Sequence, residues 1–563
     1  MDLIEIIRKH ALKNAYDFGR ANSGSIAGKV IAEYPDAKLN MKDVMKQISQ
    51  EIARISKLSK EKIEEEMSDF EYLEKKQEDK EFEISGARIG KVVVRYPPEP
   101  NGWSHIGHAK AFCLSWKIAK KYSGKIILRW DDTNPEAEKG EFVSAIKKGI
   151  EWLGLDWNEE IYCSDYLPKM YALCEKLISD GNAYSCFCQK EQIAEGRERK
   201  KRCRCFEKNT SFHLETWKKM LEGPIKEGEA VIRLTGDMES LNTVMRDPTL
   251  FRIIETPHYR QKNKYRVWPT YDFQGAVMDS VLGITHPIRS KEYELRDEAY
   301  IFLLKKLNLD IPELISISRL SIKNAPISKR LLRPLVESGK LMGWNDPRLL
   351  TLAGLEKRGI LPKAVREFVL SFGISKVESE PDLELLLNAN RKLIDPVSKH
   401  FFFVLDPVEL EIKNNNKNKV ILPLYPKEPE KGTRNISIGG AVHISKNDAL
   451  KLKEGEILRL KDFCTIQINK IGNKIIATLI EEQKVPKIIQ WVSENKLNAK
   501  ILVPKEIFSN NGEFNPHSLE LIKGYCELDC MKLKEGEIIQ FERFGFVRLD
   551  KKENDELIFI YSC

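Results

Sequence analysis

Apolar residues recur at three and four spacing in LIEIIRKHALKNAY and in MKDVMKQISQEIARI, the period of an amphipathic helix, and a charged run from Lys57 to Lys80 follows. A helical appendage is therefore expected at the start of the chain. In KVVVRYPPEP the period changes. Val92 to Val94 form a short β-branched block stopped by Pro97, Pro98 and Pro100, the pattern of a buried strand. Helical text from His105 to Tyr122, a second buried strand in KIILRW, and a helix from Pro135 to Leu153 complete a strand–helix alternation, which predicts a parallel sheet with crossovers. Between Tyr184 and Leu250 the alternation lapses while cysteines and basic residues concentrate, and it resumes from Val267 to Leu307. The text is helical again over 326–395, and from Phe401 short β-rich runs alternate with Gly, Asn and Pro turns.

The β-rich tail repeats KLKEGEI at 451–457 and 532–538, each time before an alternating apolar stretch, which predicts two similar barrels. The expected organisation is a helical appendage (1–86), a doubly wound α/β catalytic domain in two halves (87–185 and 251–325), an insertion between them (186–250), a helical domain (326–395) and paired β-barrels (396–563).

Composition narrows the setting. The 563 residues are 42% hydrophobic and 31% charged, enough for about four domains at roughly 150 residues each. No apolar run approaches the ~20 residues needed to cross a membrane. The opening MDLIEIIRKH has neither a basic n-region nor a small-residue cleavage site, so secretion is not expected. Eleven cysteines then read as reduced thiols or metal ligands in a cytoplasmic protein. The net charge of +8 tolerates a polyanionic partner without requiring one, because carboxylates are interspersed throughout.

Candidate chemistry begins at PPEPNGWSHIGH. A turn with Gly102 and Gly107 and two histidines, His105 and His108, opens a helix whose N-terminus offers N–H groups and a partial positive charge to phosphate. Spacing alone leaves open a pair of partly buried histidines or half of a metal site. A second segment, PISKRLL, places Ser328, Lys329 and Arg330 in a loop before a helix. By itself it is an ordinary basic turn. In this order, on either side of an α/β domain, the two segments resemble the HIGH and KMSKR signatures of class I aminoacyl-tRNA synthetases. The resemblance extends through LRWDDTNPEAE, EWLGLDW, YDFQGAVMDSVLGITH, GWNDPRLLTLAGLEKRGI and QFERFGFVRLD, in the order of the glutamyl and glutaminyl subclass, from about Arg88 to the C-terminus. It is closest to the archaeal glutamyl type, whose C-terminal part is built of β-barrels. One departure stands out: Pro326 and Ile327 occupy the first two positions of the KMSKR signature.

The resemblance implies ATP-dependent activation of glutamate, with Mg²⁺, and transfer to the terminal adenosine of tRNA(Glu), and of tRNA(Gln) in some relatives. Pro98, Glu99, Asn101, Gly102, His105, Gly107, His108, Ser328, Lys329 and Arg330 would surround ATP, and His105, His108 and Lys329 would serve the chemistry. Asp131 would face the α-ammonium, with Tyr271 and Arg95 in the same pocket. Arg289 is the discriminating position, because glutaminyl relatives tend to carry a small neutral residue there. A guanidinium pairs with a carboxylate but faces the NH₂ donors of an amide. Without the family, Asp131 would read as a helix cap, Tyr271 as core and Arg289 as the partner of a surface carboxylate. A glutaminyl enzyme and a tRNA-binding protein without catalysis are the competing readings.

Cys186 and Cys188, then Cys203 and Cys205, form two CxC pairs separated by the basic run RERKKR. Four thiolates in two pairs suit a structural Zn²⁺, the alternative being four free thiols. Arg197, Arg199, Lys200, Lys201 and Arg202 lie beside them, a solvated charge run or, in a tRNA-binding insertion, contacts to phosphate.

Overall fold

The periodicity of the first segment is realised as four helices, α1 (Leu3–Phe18), α2 (Ser23–Glu33), α3 (Met41–Ile55) and α4 (Lys60–Met67). Ile6, Ile7 and Leu12 meet Ile26, Val30, Val44 and Ile48 in a core of their own, and the Asn22 side chain caps α2 by accepting from Ser25 N. The structure is a computed structural model describing residues 2–18, 21–70, 82–472, 474–509, 511–554 and 556–563, so the end of the charged run expected to Lys80 lies outside the described residues. The chain divides into two compact units, 1–81 and 82–563. The second thus begins before Gly86, because Phe82 is already buried in its core.

In that second unit β1 (Val93–Tyr96) leads through α5 (Ile106–Lys121) to β2 (Lys125–Trp130), then through α6 (Gly140–Trp152) to β3 (Glu159–Tyr162), and the three strands pair in parallel. The α6 helix starts at Gly140 and not at Pro135. Glu138 turns inward so that its Oε1 accepts from Asn134 N (2.9 Å), which holds the DDTNPEAE segment as a loop. After α7 (Leu167–Ser179) the chain builds an antiparallel sheet from β4 (Ala183–Cys186), α8 (Lys190–Glu198), α9 (Thr210–Glu222), β5 (Val231–Leu234), β6 (Thr249–Ile253) and β7 (Val267–Pro269), in strand order β4-β5-β6-β7. The inserted sheet therefore spans Ala183 to Pro269, past the expected 186–250, because β6 and β7 close it as a hairpin. Next come α10 (Tyr271–Val281), β8 (Ile288–Ser290), α11 (Asp297–Leu307) and β9 (Ile315–Ile317), with β8 and β9 again parallel. Val93 O accepts from both Thr285 N and His286 N (2.9 and 3.2 Å), which joins the two halves of the α/β domain around the insertion.

Four helices follow: α12 (Lys329–Glu337), α13 (Leu352–Arg358), α14 (Pro362–Leu370) and α15 (Leu383–Ile394). The tail then forms β10 (Lys399–Phe401), β11 (Phe403–Leu405), β12 (Pro407–Lys413), β13 (Lys419–Pro423), β14 (Thr433–Ser437), β15 (Ala441–Ser445), β16 (Ile457–Leu460), β17 (Cys464–Ile471), β18 (Ile475–Leu479), β19 (Ile488–Ile489), β20 (Val492–Ser493), β21 (Lys496–Pro504), β22 (Leu519–Glu527), β23 (Ile538–Phe541), β24 (Gly545–Glu553) and β25 (Glu556–Tyr561). Two seven-stranded barrel-like sheets result, and the duplicated sequence is a duplicated structure. In each copy KLKEGEI makes the same turn, with Gly455 and Gly536 at φ of 81° and 88° and their N–H groups donating to Ile468 O and Leu549 O at 2.7 Å. Each following strand shifts register just after that acceptor.

The closing segments are exchanged between the copies. β10 and β11, which precede the first copy, pair with β23 and β22 of the second, while β19 and β20 pair with β16 and β15 of the first. The buried Arg434 pins this crossover by donating to both oxygens of Glu527 (3.1 and 2.9 Å), whose Oε1 also accepts from Phe402 N (2.6 Å). Among the described residues no helix is long and apolar enough to cross a membrane.

Candidate active site

His105 is the N-cap of α5, and the way it caps fixes the chemistry of both histidines. Its Nδ1 accepts from Gly107 N (3.1 Å), and the Nδ1 of His108 accepts from His105 N (3.2 Å). With each Nδ1 an acceptor, a neutral ring carries its proton on Nε2, so each imidazole retains one N–H donor. Burial lowers the pKa of both. His108 falls to about 4, the nearby Lys329 adding to the effect of burial, and His105 is depressed by burial, His108, Lys329 and Arg319. The N–H groups of the first turn are not free, contrary to the sequence expectation. Ile106 N donates to Leu350 O (3.0 Å) and His108 N to His105 O (2.9 Å), leaving the imidazoles to carry the donors outward.

Ser328 is the N-cap of α12, so Lys329 and Arg330 occupy the first turn of that helix and not the loop before it. No side chain caps this turn. Lys329 donates to Asn101 Oδ1, and burial lowers its pKa against the opposing pull of Glu99. Gly102 accommodates this lysine: a Cβ at that position would lie 2.5 Å from Lys329 Cε. Its role is thus to admit the Lys329 stem, where close approach of a ligand was expected.

These two helix starts face one another across a cavity of about 680 Å³ lined by Pro98, Glu99, Asn101, His105, His108 and the Ser328–Arg330 turn. Asp131 and Tyr271 line it as well. A second cavity of about 430 Å³ shares His105, His108, Asp131 and Tyr271 and adds Arg95, Gly107 and Arg289. Apart from Gly102, the residues expected at ATP and at the amino acid are therefore brought together along one cleft.

At the amino-acid end the charges are pre-paired. Asp279 accepts from Arg95 Nε and from Arg129 NH1, both at 2.6 Å, and from Tyr300 OH at 3.0 Å. Burial opposes its charge, yet Arg95 and Arg129 hold its carboxyl below the usual range. Arg129 also grips both oxygens of Asp131 (2.6 and 3.1 Å), whose Oδ1 accepts from Gln274 Nε2 (3.0 Å). Asp131 is thus a buried, oriented carboxylate and not a helix cap. Arg289 is 6% exposed and donates to Asp297 Oδ1 at 2.5 Å, with its guanidinium 5.0 Å from the Tyr300 ring centre. Its Nε is buried with no hydrogen-bond acceptor. Tyr271 is more than a third exposed to the cleft and packs on Tyr293 at 4.9 Å, so it is not core.

Sequence reasoning missed Arg129, Asp279, Lys110 and Glu138. The first three carry the same signal, an isolated charge inside an apolar run: KIILRW, AVMDSVL and AKAFC. Glu138 also lines the larger cavity. Burial pushes its pKa up to about 9, and its Oε2 lies 3.4 Å from Nε2 of the fully buried His258.

In the insertion, the Sγ atoms of Cys186, Cys188, Cys203 and Cys205 all lie within 4.8 Å of one another. Cys186 and Cys203 are 3.6 Å apart, Cys188 and Cys205 4.0 Å. A tetrahedral zinc with bonds of about 2.3 Å separates its sulfurs by about 3.8 Å, so the thiols stand where such a site needs them. Arg233 NH1 reaches Cys186 Sγ and Cys203 Sγ (3.9 and 3.8 Å), placing a cation beside what would be a doubly negative tetrathiolate. Much of the basic run beside them is not free for phosphate. Arg197 donates to Arg246 O and Asp247 O, Arg202 grips both oxygens of Asp247, and Lys200 pairs with Glu239. Lys201 and Arg204 are exposed.

A parallel α/β sheet whose helix starts place neutral imidazole donors and a lysine around one cleft defines a nucleotide-binding catalytic domain. Residues 91–395 match the family described as tRNA synthetases class I (E and Q), catalytic domain, and 398–481 and 488–550 match its two anti-codon binding domains. The chain belongs to this family. It is similar to the glutamate–tRNA ligase of Nitrosopumilus maritimus, at 41% identity over 97% of both chains, and to that of Pyrococcus abyssi, at 37% identity over the whole of both. Among solved structures, it aligns with a glutamate tRNA ligase from Elizabethkingia meningosepticum at a TM-score of 0.41 and 22% identity, over 55% of this chain and 70% of that one.

Proposed function

We propose that this chain joins glutamate to tRNA in two steps. An α-carboxylate oxygen of glutamate attacks the α-phosphorus of ATP and pyrophosphate leaves. The 2′-hydroxyl of the terminal adenosine then attacks the acyl carbon and AMP leaves. The first step gathers negative charge around phosphorus and the departing pyrophosphate, the second on the carbonyl oxygen and the departing AMP, and preorganised donors are what both chiefly require. The Nε2–H groups of His105 and His108 donate to phosphate oxygens from rings that stay neutral, and Lys329 with the uncapped first turn of α12 receives the pyrophosphate. Asp131 is tied to Arg129 and would not hold Mg²⁺, which is expected to enter on the triphosphate.

One observation carries the choice of glutamate: the buried, positively charged guanidinium of Arg289 lines the cleft, paired with Asp297. A γ-carboxylate gives that charge an anionic partner with two acceptor oxygens, whereas a glutamine amide is neutral and turns an NH₂ donor towards it. The glutaminyl alternative would leave this charge poorly matched. Among the family's tRNAs, tRNA(Glu) is the expected acceptor, with tRNA(Gln) a second, and the exchanged barrels are its anticodon-binding part. The cysteine cluster holds one structural Zn²⁺ that fixes the insertion, and the reaction serves protein synthesis in the cytoplasm. ATP–pyrophosphate exchange tests the activation step. It should depend on glutamate in the presence of tRNA, and exchange supported equally by glutamine would exclude the assignment.

A further inference from the structure

Lys110 lies two residues beyond the second histidine of the α5 motif and is 1% exposed. Its Nζ donates to Ser318 O (2.8 Å) and Ser318 Oγ (3.0 Å), and among the described residues no carboxylate lies within ion-pair distance of it. Burying an ammonium against neutral acceptors alone is costly, and a tie needed only for packing would be made more cheaply by an apolar pair. The position of its partner supplies a purpose. Ser318 is the first residue after β9, and Ile317, Ser318, Arg319 and Leu320 line the cleft opposite His105, Gly107 and His108. Ser318 N donates to Ser375 O (2.7 Å), so the strand is held on its other side by a neighbouring loop. Arg289 and Arg95 sit elsewhere on the wall, held by Asp297 and Asp279.

We propose that Lys110 is a positioning residue for the nucleotide. It clamps the Ser318–Leu320 wall against α5, fixing the width of the slot between that wall and the two histidines. Its charge also favours an anionic ligand beside a segment that contains no competing carboxylate. This rests on the reading of the cleft as an ATP site. The wall shares its cavity with Arg95 and Arg289, and β9 pairs with the Arg289 strand, but Ser318 to Leu320 lie beyond the paired register of Ile288–Ser290 with Ile315–Ile317, so losing the clamp should weaken the use of ATP far more than that of glutamate.

The test is ATP–pyrophosphate exchange by the full chain, with ATP and glutamate varied separately, for Lys110→Met, Ser318→Ala and the double variant. Lys110→Met keeps the length of the side chain and removes the charge. KM for ATP should rise roughly ten- to hundredfold, the loss expected for a hydrogen bond to a charged group, while KM for glutamate stays within about twofold. Ser318→Ala should give a smaller rise, and the double variant should be no worse than Lys110→Met alone. Equal rises in both KM values, or none, would overturn the proposal. Should Lys110→Met fail to fold, Ser318→Ala decides, and an unchanged KM for ATP refutes the clamp. Absence of exchange in the unmodified protein would instead sink the ATP reading itself.

Discussion

Replacing Arg289 with cysteine removes a buried guanidinium that pairs with Asp297 at 2.5 Å. Two effects follow for a glutamate γ-carboxylate. The first is loss of the charged hydrogen bond from the guanidinium, about 2–4 kcal/mol where one partner is buried, or a thirtyfold to several-hundredfold fall in kcat/KM. The second arises from Asp297 itself. Without the arginine its carboxylate loses the charge that balances it and repels a carboxylate ligand as far as it stays ionised, while burial, which already raises its pKa, limits that repulsion. Glutamine escapes both penalties, so selectivity should move towards the amide, with Arg95 limiting the shift because Asp279 keeps it in place. The assay is aminoacylation with labelled glutamate and labelled glutamine, for the single variant and for Arg289→Cys with Asp297→Asn. The double variant should recover part of the lost glutamate efficiency, a non-additivity that follows only if the two residues act on the same ligand charge. Unchanged glutamate kinetics in Arg289→Cys would refute the reasoning.

Gly102→Ala should lower the rate of adenylate formation by displacing Lys329 from the cleft, with tRNA affinity unaltered; a fall in tRNA binding alone would contradict the contact at 2.5 Å as its cause. Protein purified without chelators should contain one zinc per chain, and Cys188→Ser should abolish it; metal analysis showing none would remove the zinc assignment. The folded pKa of His108, about 4, lies below its ordinary 6.5, so within that window the unfolded chain binds more protons and stability rises with pH, its contribution being lost as pH falls towards 4. Adenylate formation should accordingly show no imidazole ionisation between about pH 5.5 and 7.5, checked by pre-steady-state rates across that range.

The sheet and the barrels were legible because their signals are local. Val92 to Val94 and KIILRW are β-branched runs too short to be helices, and KLKEGEI repeats a turn whose glycine must take a positive φ. What stayed hidden depends on partners distant in the chain. No pattern within 399–405 tells that β10 and β11 close the second copy and not the first. The start of α6 was misread because Asn134–Pro135 imitates a cap with proline at N1, whereas the inward turn of Glu138 decides the matter. The histidine pair was visible at the helix start, but its occupation of the helix's own N–H groups was not. The basic run looked free because its acceptors, Asp247 and the carbonyls of Arg246 and Asp247, come from a loop some way along the chain. Buried charges in apolar runs were the one signal present and unused, and Arg129, Asp279 and Lys110 all answer to it.

The central claim is that the cleft joins a phosphate site to a pocket that demands a carboxylate. It is tested most directly by charging tRNA(Glu) and tRNA(Gln) separately, each with labelled glutamate and labelled glutamine, and measuring the aminoacyl-tRNA formed per enzyme. The account predicts glutamyl-tRNA on tRNA(Glu) and no appreciable glutaminyl product on either tRNA, whether or not tRNA(Gln) also accepts glutamate. Glutaminyl-tRNA formed with an efficiency equal to or above that for glutamate would contradict it, because the buried charge of Arg289 could not then be selecting the amino acid.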